Sequence, residues 1–144
     1  MKDSPSLSAL LAKSELKRTP FRRELLQVFT TAKAPLSAAQ IYQLLRSNKK
    51  LKSHRFDRTT LFRNLKTLVS KNILNTTEFG TGAAFYCLNS DHDHHHHHVY
   101  CIRCETARPL AVCVVAPMIA NASELGYQVL NHKFEVIGIC PGCQ

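Results

Sequence analysis

Two cysteine pairs carry the clearest chemistry in this chain of 144 residues. Cys101 and Cys104 are separated by two residues, and so are Cys140 and Cys143. This spacing lets both thiolates of a pair turn toward one ion, and two pairs complete a tetrahedral four-cysteine zinc site. Because four thiolates leave no open position for a substrate, we expect a structural role. The alternative is a pair of dithiol redox motifs.

A histidine-rich segment, SDHDHHHHHVYCIRC at residues 90–104, leads into the first pair. If this approach is extended, alternate side chains point to opposite faces. His96 and His98 would then face one way, and His95 and His97 the other. One short segment could therefore supply two separate metal sites. The alternative is a loop that binds metals adventitiously, as a purification tag does.

Charge divides the chain into two halves. Residues 1–80 hold 16 Lys and Arg against 5 Asp and Glu, whereas residues 81–144 hold 3 against 5. The asymmetry indicates a basic half that meets a polyanion such as nucleic acid, although basic residues can also simply solubilise a surface.

The basic half contains two helix starts with recognisable caps. Thr19 followed by Pro20 is typical of an N-cap and first helical residue. Ser37 and Gln40 have the spacing of a capping box, with apolar residues following at helical period. The polar segment RSNKKLKSHR at residues 46–55 is most simply a solvated linker.

A third helix has the pattern of a DNA-recognition helix. Asp57 can cap it, and its apolar face contains Leu61, Leu65 and Leu68. The opposite face carries small hydrogen-bonding side chains and cations: Thr59, Arg63, Lys66 and Ser70. Apolar anchoring behind and donors in front suit a helix that enters a major groove.

A two-stranded ribbon follows, with strands on either side of Gly80-Thr81-Gly82. Helices followed by a ribbon predict a winged helix-turn-helix domain over residues 1–82. In the second domain, residues 83–144, we expect a helix from about Ala116 to Leu125, stopped by Gly126. A strand over residues 132–139 would bring the second cysteine pair to the first. The fold class is therefore α+β, with a winged-helix DNA-binding domain and a C-terminal α/β domain that contains the four-cysteine site.

Several protein classes are disfavoured. The N-terminus has no secretory pattern, and the longest apolar run, LAVCVVAPMIA, contains a proline and is too short to span a membrane. We therefore expect a cytoplasmic protein, in which six cysteines argue against a disulfide framework. A hydrolytic zinc enzyme is disfavoured because there is no His-Glu-x-x-His motif and the C-terminal half has few acids.

The ordered set of motifs resembles the ferric uptake regulator family of metal-dependent bacterial repressors over nearly the whole chain. LKRTPFRRELLQVF, PLSAAQIYQLL and DRTTLFRNLKTL are similar to its first, second and recognition helices. HHHHVYCIRC and NHKFEVIGICPGC are similar to its dimerisation domain and structural zinc site. The resemblance implies a homodimer that binds a palindromic double-stranded DNA operator when a sensory metal occupies the hinge between domains.

The resemblance also implies two further metal sites. The regulatory site would use Cys87, His96 and His98, and a possible third site would use His95, His97 and His132. Zinc-sensing members have cysteine where Cys87 lies, and iron-sensing members usually have glutamate. Because a thiolate favours zinc over metals that prefer hard ligands, we expect zinc.

This chain departs from the family pattern at several ligand positions. The fourth hinge ligand is left open between Asn75, a poor ligand, and the donors Glu78, His92, Asp93 and His94. Pro35 replaces a histidine that iron and peroxide sensors use. The helix after Cys104 has no carboxylate before Glu124, so Cys113 either joins the third site or is a core residue.

Eight residues are predicted to contact DNA. We expect phosphate contacts from the cations and contacts at or near the bases from the recognition helix. The eight residues are Lys17, Arg18, Arg22, Arg58, Thr59, Thr60, Phe62 and Arg63. Phe62 stands where the family usually has tyrosine, so base stacking or methyl contact is kept while a hydroxyl is lost.

The sequence therefore predicts a zinc-responsive repressor of metal-uptake genes. An iron- or peroxide-responsive regulator of the same family is the first alternative. A zinc storage or delivery protein is the alternative from another class, although such a protein would not need the basic winged half.

Overall fold

The computed structural model describes residues 16–51, 56–89, 97–110, 114–130, 132 and 134–144. The chain divides into two compact units, Met1–Asp91 and His92–Gln144. Both units combine helix with sheet, as the α+β class predicts. Within the described ranges, no helix is long and apolar enough to cross a membrane.

The N-terminal unit has three helices within its described residues: α1 (Pro20–Thr31), α2 (Ala38–Ser47) and α3 (Arg58–Ser70). The expected caps are confirmed. Thr19 accepts a hydrogen bond from the amide of Arg22, and Asp57 accepts one from the amide of Thr60 at 2.7 Å. Ser37 and Gln40 form both hydrogen bonds of a capping box. These side chains satisfy amides that would otherwise lack partners at the helix starts.

The core of this unit lies where the three helices meet. The predicted apolar face of α3 is confirmed, and helical position 44 was wrongly expected to be apolar core, because Leu44 is 47% exposed. The fully buried helical side chains are Leu25, Leu26, Ile41, Leu45, Leu61, Leu65 and Leu68. The expectation of a solvated linker was wrong at Leu51, which is only 3% exposed and ends a short 3-10 helix, Lys49–Leu51. The linker's residues 52–55 lie outside the described part. Leu51 is buried because it joins this same cluster.

A three-stranded antiparallel sheet completes the unit, with strand order β1-β3-β2. Its strands are β1 (Leu36–Ser37), β2 (Leu74–Glu78) and β3 (Ala84–Leu88). The predicted ribbon is therefore present, and β1 is an addition to it. Because β3 pairs with β1 and with β2, it belongs to the N-terminal unit. The expected boundary after residue 82 falls between the two ribbon strands, nine residues before the division that the structure shows at Asp91.

In the part of the C-terminal unit that the structure describes, there are one small sheet and one helix. Its elements are β4 (His98–Cys101), β5 (Ala107–Pro109), α4 (Val115–Glu124), β6 (Val136–Gly138) and a closing 3-10 turn, Pro141–Cys143. The strand order is β5-β4-β6, with β6 parallel to β4. The helix lies within one residue of its expected bounds, and Gly126 follows it with φ +86°. The strand expected over residues 132–139 is shorter, because only residues 136–138 pair with β4.

Candidate metal centre and nucleic-acid interface

The four cysteines of the two pairs converge on one point. Cys101 ends β4 and Cys104 lies in the turn after it, while Cys140 and Cys143 follow β6. Parallel pairing of β4 with β6 aligns Cys101 with Gly138, two residues before Cys140. All four sulfurs lie within 4.8 Å of one another. Tetrahedral coordination at a Zn–S distance of about 2.3 Å needs sulfurs about 3.8 Å apart, so the donor set fits one thiophilic cation.

Hydrogen bonds prepare part of this cluster to be ionised. Backbone amides lower the pKa of the Cys101 thiol to about 6, chiefly that of Cys104 and then that of Cys140, whose nitrogen lies 3.3 Å from the sulfur. The hydroxyl of Thr106, 3.0 Å from the sulfur of Cys104, lowers the pKa of that thiol. Both effects favour the thiolate, the form that binds a metal.

Cys143 behaves in the opposite way. Its thiol donates to the sulfurs of Cys140 and Cys104, and these interactions raise its pKa to about 12. Full ionisation of all four thiols is therefore disfavoured by their mutual charge, and a divalent cation would neutralise that charge.

The structure brings together two of the three histidines predicted for a third metal site. His97 is buried, and the centroid of its ring lies 5.8 Å from that of His132 and 5.2 Å from that of Phe134. The remaining residue, His95, lies outside the described part of the chain, as does Cys113. The third site therefore stays a prediction.

Cys87 lies on β3, the central strand of the N-terminal sheet. Tyr86 and Leu88 pack against the helical core, so alternation places the side chain of Cys87 on the other face of the sheet. Burial raises the pKa of its thiol. The residue directly across on β2 is Asn75, whose amide nitrogen donates to the side-chain oxygen of Asn89. The predicted hinge position thus does neighbour Cys87, but it carries an amide.

Glu78 lies away from Cys87, although it was a candidate for the fourth ligand. It pairs with Ala84 at the other end of the ribbon, and its carboxylate accepts a hydrogen bond from the amide of Gly82 at 3.2 Å. The other three candidates and His96 lie outside the described residues. His98, buried in β4, belongs to the C-terminal unit. The regulatory set therefore also stays a prediction.

The outer face of α3 has the expected polar and cationic character. Its exposed residues are Thr59, Phe62, Arg63, Lys66 and Ser70. Phe62 is 51% exposed, which is unusual for a large aromatic side chain in a helix with a fully buried apolar face. Thr60 is half-buried beside this face. An exposed ring between hydrogen-bond donors and cations suits contact with base edges.

The basic residues predicted to bind phosphate differ in their surroundings. Lys17 and Arg18 are exposed just before α1. The guanidinium of Arg58 lies 5.6 Å above the ring of Tyr42, a cation–π arrangement that orders it. Arg22 instead hydrogen-bonds to Asn64 on α3. Sequence patterns did not single out Asn64, because its partner is 42 residues away.

Comparisons with known proteins agree with this architecture. A family model described as the ferric uptake regulator family matches residues 13–137. A ferric uptake regulation protein from Staphylococcus aureus is 31% identical over 135 residues, covering 94% of this chain and 93% of that protein. One from Neisseria meningitidis is 32% identical over 139 residues, covering 94% and 92%.

Solved structures show the same fold. The ferric uptake regulator of Helicobacter pylori superposes with a TM-score of 0.78 at 19% identity, covering 99% of this chain and 97% of that one. The regulator from Vibrio cholerae gives 0.75 at 23% identity, covering 90% and 96%. At these identities the likeness concerns the fold alone.

Proposed function

Because this chain belongs to the ferric uptake regulator family, we propose that it is a zinc-responsive repressor of metal-uptake genes. Members of the family are dimeric, DNA-binding, metal-dependent transcription regulators rather than enzymes. The observation that carries DNA binding in this chain is α3, with its buried apolar face and its exposed donors, cations and ring. Positive charge concentrated in residues 1–80 supports the same conclusion.

The proposed assembly is a homodimer on a palindromic operator. In support, the C-terminal unit exposes large hydrophobic side chains that a second copy would cover: Ile102, Val114, Met118, Leu125, Tyr127, Leu130, Ile137 and Ile139. In a dimer, two copies of α3 would enter successive major grooves about 34 Å apart. If the two copies of α3 are wrongly spaced, only one of the two half-sites is bound. A small change in the angle between domains can therefore switch the affinity for DNA.

Two zinc ions have distinct roles in this proposal. One is bound by Cys101, Cys104, Cys140 and Cys143 and stabilises the C-terminal unit. The other is bound by Cys87, His96 and His98 and sets the orientation of the DNA-binding units. Cys87 favours zinc because its thiol is a soft ligand, whereas iron(II) and manganese(II) prefer oxygen-rich sites. A third ion at His95, His97 and His132 is an optional addition.

An iron-responsive regulator is the competing function, and a specific observation favours it. The relatives from Staphylococcus aureus and Neisseria meningitidis are both named ferric uptake regulation proteins. The two functions differ in which free metal ion activates DNA binding, so a metal titration separates them.

The experiment is DNA binding at buffered free metal concentrations. Wild-type protein selects duplexes from a random-sequence library, and the enriched duplex is then titrated with zinc, iron(II) or manganese(II). We expect zinc to raise affinity by about 10- to 100-fold, the usual range of allosteric coupling. Activation by iron or manganese at lower free concentration would refute the zinc assignment, and failure to enrich any duplex would refute DNA binding.

Cys87→Ser should abolish the zinc response while the four-cysteine cluster keeps its ion. Thr76→Ala is the matched control, because Thr76 is exposed on the neighbouring strand and pairs with Tyr86 rather than with Cys87. A zinc response that survives Cys87→Ser would exclude Cys87 as a regulatory ligand.

A further inference from the structure

Arg22 starts on α1 but its side chain reaches two other segments. Its Nε and Nη2 atoms both donate to the side-chain oxygen of Asn64 on α3, at 3.2 and 3.1 Å. Its Nη1 atom donates to the backbone carbonyl of Lys17 at 2.6 Å. Three of the five guanidinium N–H groups are therefore aimed at protein oxygens. These three bonds fix the plane and direction of the guanidinium, and one N–H each on Nη1 and Nη2 points elsewhere.

Asn64 is held at its other end as well. Its amide nitrogen donates to the backbone carbonyl of Thr60, one turn earlier in α3, at 2.8 Å. The oxygen of Asn64 thus faces Arg22 in a fixed direction. A planar guanidinium that donates twice to one fixed oxygen restricts rotation of α3 about its axis. Phe62 and Arg63, the exposed neighbours of Asn64, would turn with any such rotation.

The same guanidinium also holds the segment before α1. The side chain of Lys17 is exposed. Its backbone carbonyl oxygen accepts two hydrogen bonds, one from Arg22 and one from the amide of Thr19 at 3.0 Å. Lys17 and Arg18 are therefore carried on backbone that is tied to α3 through one side chain. The side chain of Arg22 therefore links the segment expected to contact phosphates with the helix expected to contact bases.

We propose that Arg22 and Asn64 form a positioning pair for DNA recognition. Their hydrogen bonds set the rotation of α3 and the place of the Lys17–Arg18 segment, so that base and phosphate contacts are made together. This role replaces the phosphate contact expected of Arg22 from sequence, and it rests on the proposed DNA binding. In this role the fork geometry of Arg22 matters, and its charge alone does not suffice.

The two roles predict different responses to charge-conserving substitution. If Arg22 neutralises a phosphate, Arg22→Lys keeps most of the affinity, whereas Arg22→Ala lowers the slope of log K against log salt by about 0.9. If Arg22 positions α3, Arg22→Lys weakens sequence-specific binding and leaves that slope unchanged. Binding to a shuffled duplex then changes little, because non-specific binding depends on charge.

The test uses full-length, zinc-loaded protein and two probes: the duplex enriched from a random library by the wild type, and a shuffled duplex of the same composition. We expect Arg22→Lys and Asn64→Ala each to lower affinity for the enriched duplex about tenfold, within the range of coupling between contacting residues. The double variant should be no weaker than either single variant. Arg23→Lys is the matched control, because Arg23 is exposed on α1 and pairs with Glu24 of the same helix, and this variant should bind like the wild type. Thermal unfolding verifies that each variant is folded.

Each outcome decides the matter. Wild-type affinity of Arg22→Lys for the enriched duplex would overturn the positioning role, and so would additive losses in the double variant. If Arg22→Ala loses affinity equally for both probes with a reduced salt slope while Arg22→Lys binds like the wild type, Arg22 contacts a phosphate instead. If the wild type enriches no duplex, the proposed DNA binding itself fails, and the positioning role fails with it. Enrichment followed by an unaffected Arg22→Lys refutes the positioning role alone.

Discussion

Removal of the metal proposed for the cysteine cluster should unfold the C-terminal unit and leave the N-terminal unit folded. Among the described residues, the buried hydrophobic side chains of the C-terminal unit are Tyr100, Cys101, Ala107 and Val115, whereas the N-terminal unit buries fourteen. Full burial of a large apolar side chain contributes about 1.5–3 kcal/mol. Only Tyr100 and Val115 are large enough to count in that range, so this core is small.

The proposed metal ion should contribute more to the folding free energy of the C-terminal unit than this core does. Binding of zinc by four thiolates contributes about 10–16 kcal/mol near neutral pH. An ion bound by all four sulfurs would also join the end of β4 to the segment after β6. These two segments are far apart in the chain, because Cys101 and Cys140 are 39 residues apart in sequence. Without the ion, the crowded thiols repel as they ionise, and the closing 3-10 turn loses its attachment. We therefore expect loss of β4, β5, β6 and α4 together.

Hydrogen exchange with mass spectrometry measures this directly. Full-length protein is treated with a strong zinc chelator until elemental analysis finds no bound metal, and exchange is compared with untreated and zinc-restored samples. Amides of the C-terminal unit should lose protection, and those of α1, α2 and α3 should keep it. A chelator selective for calcium is the control. Unchanged protection of β4 and β6 in metal-free protein would refute the reasoning, as would simultaneous loss of the three helices.

Three further predictions concern the N-terminal unit. Leu65 is fully buried, so Leu65→Ala should lower the free energy of unfolding by about 2–5 kcal/mol in urea titration. Lys66→Ala, at the exposed neighbouring position, should change it by less than about 0.5 kcal/mol. Equal effects of the two substitutions would contradict the assignment of the buried and exposed faces of α3. The hydrogen bond from the amide of Thr60 lowers the pKa of Asp57 below its ordinary 3.8, so this carboxylate stabilises the fold above 3.8 and the contribution is lost as pH falls through the folded value. Asp57→Asn, which can still cap, should lose less stability over that acid range, and parallel pH curves would contradict this. Lys17→Ala should weaken binding to all duplexes and reduce the slope of log K against log salt by about one. Arg63→Ala should instead relax specificity at one base position. Loss of specificity in Lys17→Ala and a uniform loss of affinity in Arg63→Ala would overturn both roles.

Local patterns predicted much of this fold. The caps at Thr19, Ser37 and Asp57 depend on residues three positions apart, so sequence alone identifies them. The cysteine cluster was predictable for a similar reason, because two-residue spacing fixes how each pair can turn. The alternation of small donors and cations on α3 likewise follows from helical periodicity.

Features that depend on distant partners could not be predicted in this way. Leu51 lies in a basic run, and its burial follows from packing against helices elsewhere in the chain. The strand β1 is two residues long and exists because β3 is available to pair with it. The contact between Arg22 and Asn64 has no sequence period, since it depends on how α1 and α3 cross. The metal sites involving residues 90–96 stay predictions for this chain.

The central position of β3 has a mechanical consequence. Its backbone is hydrogen-bonded to β1 on one side and to β2 on the other, and β1 runs directly into the cap of α2. Cys87 itself pairs with Asn75 of β2, and the two residues before it, Phe85 and Tyr86, also pair with β1. The zinc ion proposed at Cys87 would therefore bind a strand that is paired on both sides, and we expect β3 to stay in the sheet when the ion binds.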